Sequence, residues 1–211
     1  MSDPPASSTF DGLVDFFEAA AATPTHRRLA ARCFEPVLTA ERGLMIDVGC
    51  GPGALLARAE AAGRPAIGVD RSLPMARRAR ARGFRAAVAA FERLPFADAS
   101  ATAVAAMLVL HLSDAEAALS EARRVLRPGG VLSIVTQSKA WTEAAARAYV
   151  AARRLEGTER ELLIGSARSG ESGRRFDPAE LVAVVRSVGL RPGRLVEKLD
   201  GGLLIASAHR P

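Results

Sequence analysis

Met45-Ile-Asp-Val-Gly-Cys-Gly-Pro-Gly53 is the stretch on which the fold turns. Met45, Ile46 and Val48 are apolar, as a parallel strand buried on both faces requires. Gly49, Gly51 and Gly53 follow at alternate positions, and Ala54, Leu55 and Leu56 then open a helical pattern. The backbone must therefore turn sharply at a strand's carboxyl end and present bare N–H groups beside a helix amino terminus. Such a turn suits an anionic group on a nucleotide-like ligand. Asp47 adds a carboxylate at the same rim. A turn that offers both signs of charge suits a ligand with an amino acid at one end.

Three readings of this loop stay open on its residues alone. One is a tight strand–helix connection with no ligand, against which the alternating glycines and the acid both weigh. Another is a dinucleotide site, because Gly49, Gly51 and Ala54 satisfy the G-x-G-x-x-G/A fingerprint. The third is a site for S-adenosylmethionine. Asp70, at the end of the next strand, can accept hydrogen bonds from both ribose hydroxyls of an adenosine under either nucleotide reading.

The chain's 211 residues can hold one domain with a sizeable core. A content of 49% hydrophobic and 25% charged residues is globular. The longest apolar run, Ala103 to Leu112, is too short to span a bilayer and contains His111. Asp3 and Asp11 make the start acidic, unlike a secretory signal, so a cytoplasmic, non-membrane protein is the expectation. Cys33 and Cys50 are too few for a disulfide framework or a cysteine zinc site, and no metal is expected. The formal net charge of +6 is almost wholly arginine and is spread along the chain, without a basic stripe interleaved with aromatics. That pattern disfavours a nucleic-acid footprint.

Periodicity lays out the elements. After a polar start at Met1 to Thr9, Phe10 begins a helix with Leu13, Val14 and Phe17 on one face, and a second runs from Thr25 to about Leu38. Strands are expected at Leu44–Val48, Pro65–Val69, Phe84–Ala89, Thr102–Leu110 and Val131–Thr136. Helices alternate with them over Gly53–Ala62, from Ser72 to about Arg82, and from a Ser113-x-x-Glu116 capping box to Leu126. Pro128-Gly129-Gly130 breaks that last helix. Trp141–Leu155 reads as helical and the stretch to Arg175 as irregular. Asp177-Pro178 starts a helix ending at Gly189. Two strands, Arg194–Leu199 and Leu203–Ala208, meet at Asp200-Gly201-Gly202 as an antiparallel hairpin. The expected fold is α/β, a doubly wound, Rossmann-like, mostly parallel seven-stranded sheet ending in that hairpin, with helices on both faces. Residues 1–211 form one domain, with 1–40 a helical lid and 138–176 an insertion on the substrate side.

Four further segments separate the nucleotide readings: Phe91-Glu-Arg-Leu-Pro-Phe-Ala-Asp98, His111-Leu-Ser-Asp114, Arg124-Val-Leu-Arg-Pro-Gly-Gly130 and, more weakly, Phe176-Asp-Pro-Ala-Glu-Leu181. With the glycine loop, they make the chain resemble the class I S-adenosylmethionine-dependent methyltransferases. The resemblance is to the small-molecule branch that includes the quinone-biosynthesis C-methyltransferases, and it is strong over Leu44 to Val135. It implies that Asp47 and the backbone of Gly49, Cys50, Gly51 and Gly53 hold the methionine end of the cofactor. Asp70 would take the ribose, Arg71 would pack along the adenine, and Phe91 would offer its N–H to the adenine edge. Met107 and Leu108 would lie beneath the sulfonium. Two positions depart from the family pattern: Ala90 replaces an adenine-reading Asp, and Ala101-Thr102 replaces Phe-Asp.

The expected function is methyl transfer from S-adenosylmethionine, leaving S-adenosylhomocysteine, to an O, N or C nucleophile of a small-molecule acceptor. His111, at a strand's mouth, is the candidate general base, beside the alternative of a structural histidine ordering the loop. His26 and His209 are expected at the surface. Trp141 and Tyr149 are candidates for an acceptor platform, against ordinary helix packing. The alternatives are a nucleic-acid methyltransferase and a nucleotide-binding protein without catalysis, or one using a dinucleotide. A monomer or homodimer is expected.

Overall fold

Four consecutive residues, Met45–Val48 (β1), are fully buried because neighbours hydrogen-bond to them on both sides. The computed structural model describes residues 10–169 and 173–211, so the expectation at Met1–Thr9 lies outside the described residues. From the amino terminus the helices Val14–Ala21 (α1) and Pro24–Thr39 (α2) precede β1, and Ala54–Ala61 (α3) follows it. Then come Ala66–Asp70 (β2), Leu73–Ala81 (α4), Ala86–Val88 (β3) and Ala101–Met107 (β4). A 3-10 turn at Leu110–Leu112 leads to Ala115–Val125 (α5) and Leu126–Gln137 (β5). The remainder is Glu143–Ala152 (α6), Gly157–Ser169 (α7), Pro178–Ser187 (α8), Arg191–Lys198 (β6) and Leu203–His209 (β7).

The described strands form one seven-stranded sheet in the order β3-β2-β1-β4-β5-β7-β6. Pairing is parallel as far as β5, whereas β7 runs antiparallel to both β5 and β6. Alternation along β1 sends its side chains to two cores. Met45 joins Leu29, Cys33 and Phe34 of α2, while Ile46 and Val48 join Leu119 and Ala122 of α5 and Leu181 of α8. A buried hydroxyl, Ser133 Oγ, donates to the Cys33 carbonyl at 2.7 Å and ties α2 to β5. The order reverses between β1 and β4, and crevices open at such a switch point beyond the strands' carboxyl ends.

Several local expectations are corrected. β4 ends at Met107 rather than Leu110, because Leu108 adopts a left-handed backbone (φ +59°) that no strand continues through. The cap of α5 is Asp114 rather than Ser113: its carboxylate accepts from the Ala117 N–H at 3.0 Å, and Glu116 turns outward to Arg174. Pro128-Gly129-Gly130 lies within β5 as a bulge, where the register to β4 jumps between Ala101 and Ala103 and the Gly129 N–H reaches the Arg210 carbonyl. The segment expected to be irregular before Arg175 contains α7, whose Leu163, Ile164 and Ala167 pack on Trp141, Ala146 and Val150. Asp177 and Glu180 make the reciprocal capping box of α8, with Pro178 at its first position as expected.

Candidate functional site

Gly49, Gly51 and Gly53 all carry left-handed backbones (φ +67°, +50° and +96°), so the chain leaves β1 through a turn that L-residues with side chains resist. The Gly49 and Cys50 N–H groups both point back to the Val69 carbonyl, which closes the turn against β2. A Cβ on Gly51 would meet nothing within 4 Å, whereas one on Gly53 would strike the Phe84 ring at 2.6 Å. Gly51 thus faces open space, and Gly53 lets α3 begin close to α4's trailing loop.

That space is a cleft of about 1050 Å³, its open mouth included, at the carboxyl ends of β1, β2 and β4. Asp47, Gly49, Cys50, Gly51, Asp70, Arg71, Phe91, Met107 and Leu108 all line it. Gly53 does not.

Two carboxylates set the electrostatics of the floor. Asp47 is 2% exposed, and its Oδ2 has no hydrogen-bond partner among the described residues. Burial, and secondarily the Asp70 charge, push its pKa well above the ordinary carboxylate range. Asp70 accepts from the Ser72 N–H (2.9 Å) and the Gly51 N–H (2.9 Å), so it braces the loop as well as facing the cleft. Burial raises it too, and those two N–H groups and Arg71 pull the other way. A buried carboxylate with an unused oxygen calls for a cationic partner. An ammonium group on a ligand is the kind of group that meets that demand.

The cleft is also lined by Phe10, by Phe17 and Ala21 of α1, by His26 at the start of α2, and by Leu162 of α7. Glu159 of α7 accepts from the Thr25 N–H at 2.8 Å and holds these helices together. His26 is therefore not at the surface as expected: it is 7% exposed, and burial, with Arg58 as a lesser cause, lowers its pKa to about 4. Its signal was in the sequence, because His26, Leu29, Ala30, Cys33 and Val37 recur at helical spacing on one buried stripe.

His111 sits in the 3-10 turn after β4, 3% exposed, and is not among the residues lining the cleft. Its carbonyl accepts from the Arg174 N–H at 2.9 Å, which docks the segment before α8. Burial, then Arg175, lowers its pKa to about 4. Trp141 and Tyr149 also stand away from the cleft. Trp141 is 1% exposed, its Nε1–H donates to Ser166 Oγ at 3.0 Å, and its ring meets Tyr149 edge-on with centroids 6.0 Å apart. His209 is half-buried in β7. Thr102 lies at the amino end of β4, where its hydroxyl accepts from Arg64 at 2.8 Å, at the opposite end of that strand from the cleft. No group of three His, Cys, Asp or Glu among the described residues could hold a metal ion, and no described helix is long and apolar enough to cross a membrane.

A seven-stranded sheet with a reversed final strand, and a glycine turn and strand-end acid at its switch point, defines the class I S-adenosylmethionine-dependent methyltransferase fold. Residues 46–134, rather less than half of the chain, match the methyltransferase domain family. Among curated relatives, it is similar to the malonyl-[acyl-carrier protein] O-methyltransferase of Salmonella typhimurium. The identity is 33% over 128 residues, 57% of this chain and 51% of the relative. Against the ubiquinone/menaquinone biosynthesis C-methyltransferase of Caulobacter sp. (strain K31) it is 48% over 59 residues, 28% of this chain and 23% of the relative. The chain thus spans about half or less of the curated relatives it matches. Its fold superposes on geranyl diphosphate C-methyltransferase of Streptomyces coelicolor A3(2), solved with Mg2+, geranyl diphosphate and S-adenosyl-L-homocysteine. The TM-score is 0.64 at 18% identity, over 92% of this chain and 82% of that one.

Proposed function

We propose that the protein transfers a methyl group from S-adenosylmethionine to a small-molecule acceptor. The observation that carries this reading is Asp47: a buried carboxylate oxygen without a partner, beside a turn where an added Cβ at Gly51 would enter empty space. Asp47 would hold the ammonium of the methionine end, and the backbone at Gly49, Cys50 and Gly51 would flank its carboxylate. Asp70 would accept from the ribose hydroxyls with the lone pairs that Gly51 and Ser72 leave free. Arg71 and the Phe91 main chain would bound the adenine, and Met107 and Leu108 would lie under the sulfur. When bound, the cofactor supplies a methyl carbon made electrophilic by its sulfonium.

The protein's part is alignment in a dry cleft, which by itself can supply a large share of the rate of an in-line displacement. Phe10, Phe17, Ala21 and Leu162 would exclude water from the acceptor side. The lid of residues 1–40 and the insertion of residues 138–176 would thus do their work through α1, the start of α2 and α7. Loss of an Asp at position 90 would weaken adenine reading by one charge-assisted hydrogen bond, about 1.5–3 kcal/mol.

Calorimetry with S-adenosylhomocysteine, run beside NADH, tests the proposal. Micromolar binding of the former is expected, and Asp70→Ala should weaken it by about 10- to 100-fold, the size of one lost charge-assisted bond. Binding of NADH alone would overturn the cofactor assignment.

A further inference from the structure

The wall of the cleft formed by α1, α2 and α7 is carbon except at one residue. Phe10, Phe17, Ala21 and Leu162 line it together with His26, whose Nδ1 is sealed from solvent without a hydrogen-bond partner among the described residues, which leaves Nε2 as the imidazole nitrogen toward the cleft. The other ionisable side chains lining the cleft are Asp47, Asp70, Arg71 and the Cys50 thiol. The two acids and Arg71 are taken by the cofactor in the reading above, on which this inference rests. Burial pushes the Cys50 thiol well above its ordinary range, so it stays protonated. His26 is thus the basic nitrogen left facing the acceptor.

We infer that His26 takes the proton from a methyl acceptor that is uncharged, largely apolar and carries its nucleophile as an aryl or enolic hydroxyl. Three observations converge on that class. The wall around His26 is apolar, so it desolvates a flat hydrocarbon body at no polar cost. Arg71 is the one Arg or Lys among the described residues lining the cleft, and its charge acts on Asp70. An acceptor carboxylate or diphosphate would therefore find no further Arg or Lys among the described lining residues to pair with, which disfavours burying it there. The imidazole is neutral at pH 7, with burial and Arg58 on α3 holding its pKa at about 4. A base that weak suits an acidic hydroxyl rather than an alkyl alcohol.

The step balances without further reagents. A lone pair of the hydroxyl oxygen forms the new C–O bond to the methyl carbon as the C–S bond breaks. The C–S electron pair returns to sulfur and neutralises the sulfonium, and the hydroxyl proton passes to His26. Burial and Arg58 disfavour the resulting imidazolium, which gives its proton to water at the cleft's open mouth.

The test uses 2-naphthol, 2-naphthoate and 2-naphthyl phosphate as probes, added to the full chain already saturated with S-adenosylhomocysteine. Failure of that first saturation would sink the cofactor reading before any probe is added, so the two failures are distinguishable. We expect 2-naphthol to bind about tenfold or more tightly than either anion, and His26→Phe to weaken 2-naphthol about tenfold while leaving S-adenosylhomocysteine unchanged. His26→Gln, which keeps a hydrogen bond but no base, should retain naphthol binding and slow methyl transfer to it from S-adenosylmethionine by about tenfold or more. If a variant fails to fold, NMR titration of the wild-type His26 imidazole should show its signal moving on addition of 2-naphthol. Tighter binding of an anion, no binding or methylation of 2-naphthol, an unmoved imidazole, or a His26 variant that loses S-adenosylhomocysteine instead would each overturn the assignment.

Discussion

Gly68 has no φ that demands glycine, yet it has no room for a side chain. It lies opposite Asp47 in the register of β1 and β2, and an added Cβ would meet Cys50 Sγ at 2.6 Å, Cys50 Cβ at 2.8 Å and Leu56 Cδ1 at 2.9 Å. Those atoms belong to the glycine turn and the first turn of α3, so the bare backbone of β2 is what lets the turn fold down. Gly68→Ala should cost about 1–3 kcal/mol by overpacking. It should also weaken S-adenosylhomocysteine binding, although residue 68 is not among those lining the cleft. Urea unfolding and calorimetry on the same preparation measure both. Lost stability with unchanged affinity would mean that the turn keeps its shape when Cys50 is displaced.

Arg124, in the last turn of α5, shows why two of the sequence motifs occur together. Its guanidinium bonds Glu121 (2.6 and 2.8 Å), Asp98 (2.8 Å) and the carbonyls of Phe96 (2.7 Å) and Leu94 (3.0 Å), while Glu121 also accepts from the Leu94 N–H at 2.8 Å. The Arg-Val-Leu and Leu-Pro-Phe segments are thus one clamp that fixes the chain between β3 and β4 and sets Phe91 at the cleft's rim. Because the guanidinium is about a third exposed, Arg124→Ala should cost about 2 kcal/mol, not the 3–5 of a fully buried pair. Arg124→Lys should recover little of it, since an ammonium lacks the planar fork. Denaturant midpoints decide, and full rescue by Lys would make the clamp a matter of charge alone. The residues of both motifs could be read from spacing, but their contact could not, because it joins positions 26 to 30 apart in the chain. The same holds for the other misreadings. Short apolar runs located β1, β2 and β4, yet the apolar run past Met107 carries no mark of the left-handed turn at Leu108. The Arg, Glu and Ser content of 157–169 masked the apolar face of α7. His26 reads as polar and solvent-facing, because the wall it joins is assembled from other elements, α7 among them, which meets α2 at a contact 134 residues apart in the chain.

Over the whole molecule, two buried imidazoles should govern how stability changes in mild acid. Burial holds both His26 and His111 at a pKa of about 4 instead of the ordinary 6.5, and Arg58 and Arg175, respectively, push the same way. Between these two values the unfolded chain binds protons that the native chain refuses, so the free energy of unfolding must fall as the pH is lowered. About a unit above pH 6.5 neither group contributes any further pH dependence. By pH 4 each has cost about 3 kcal/mol, from the difference between its two pKa values. Asp47 and Asp70 act with the opposite sign: their native pKa values are raised, so the native state takes up protons first and acid stabilises it through them. The net slope mixes both, and a difference between variants isolates one. Unfolding free energies of wild type and His111→Gln, measured from pH 7 to pH 4, should converge by about 3 kcal/mol, because only the wild type carries the buried imidazole's acid penalty. Most of the convergence should survive high salt, since burial is the larger cause and salt screens only the Arg175 share. A wild-type-minus-variant difference that stays constant with pH would mean that His111 is hydrated in solution and titrates as it does in the unfolded chain.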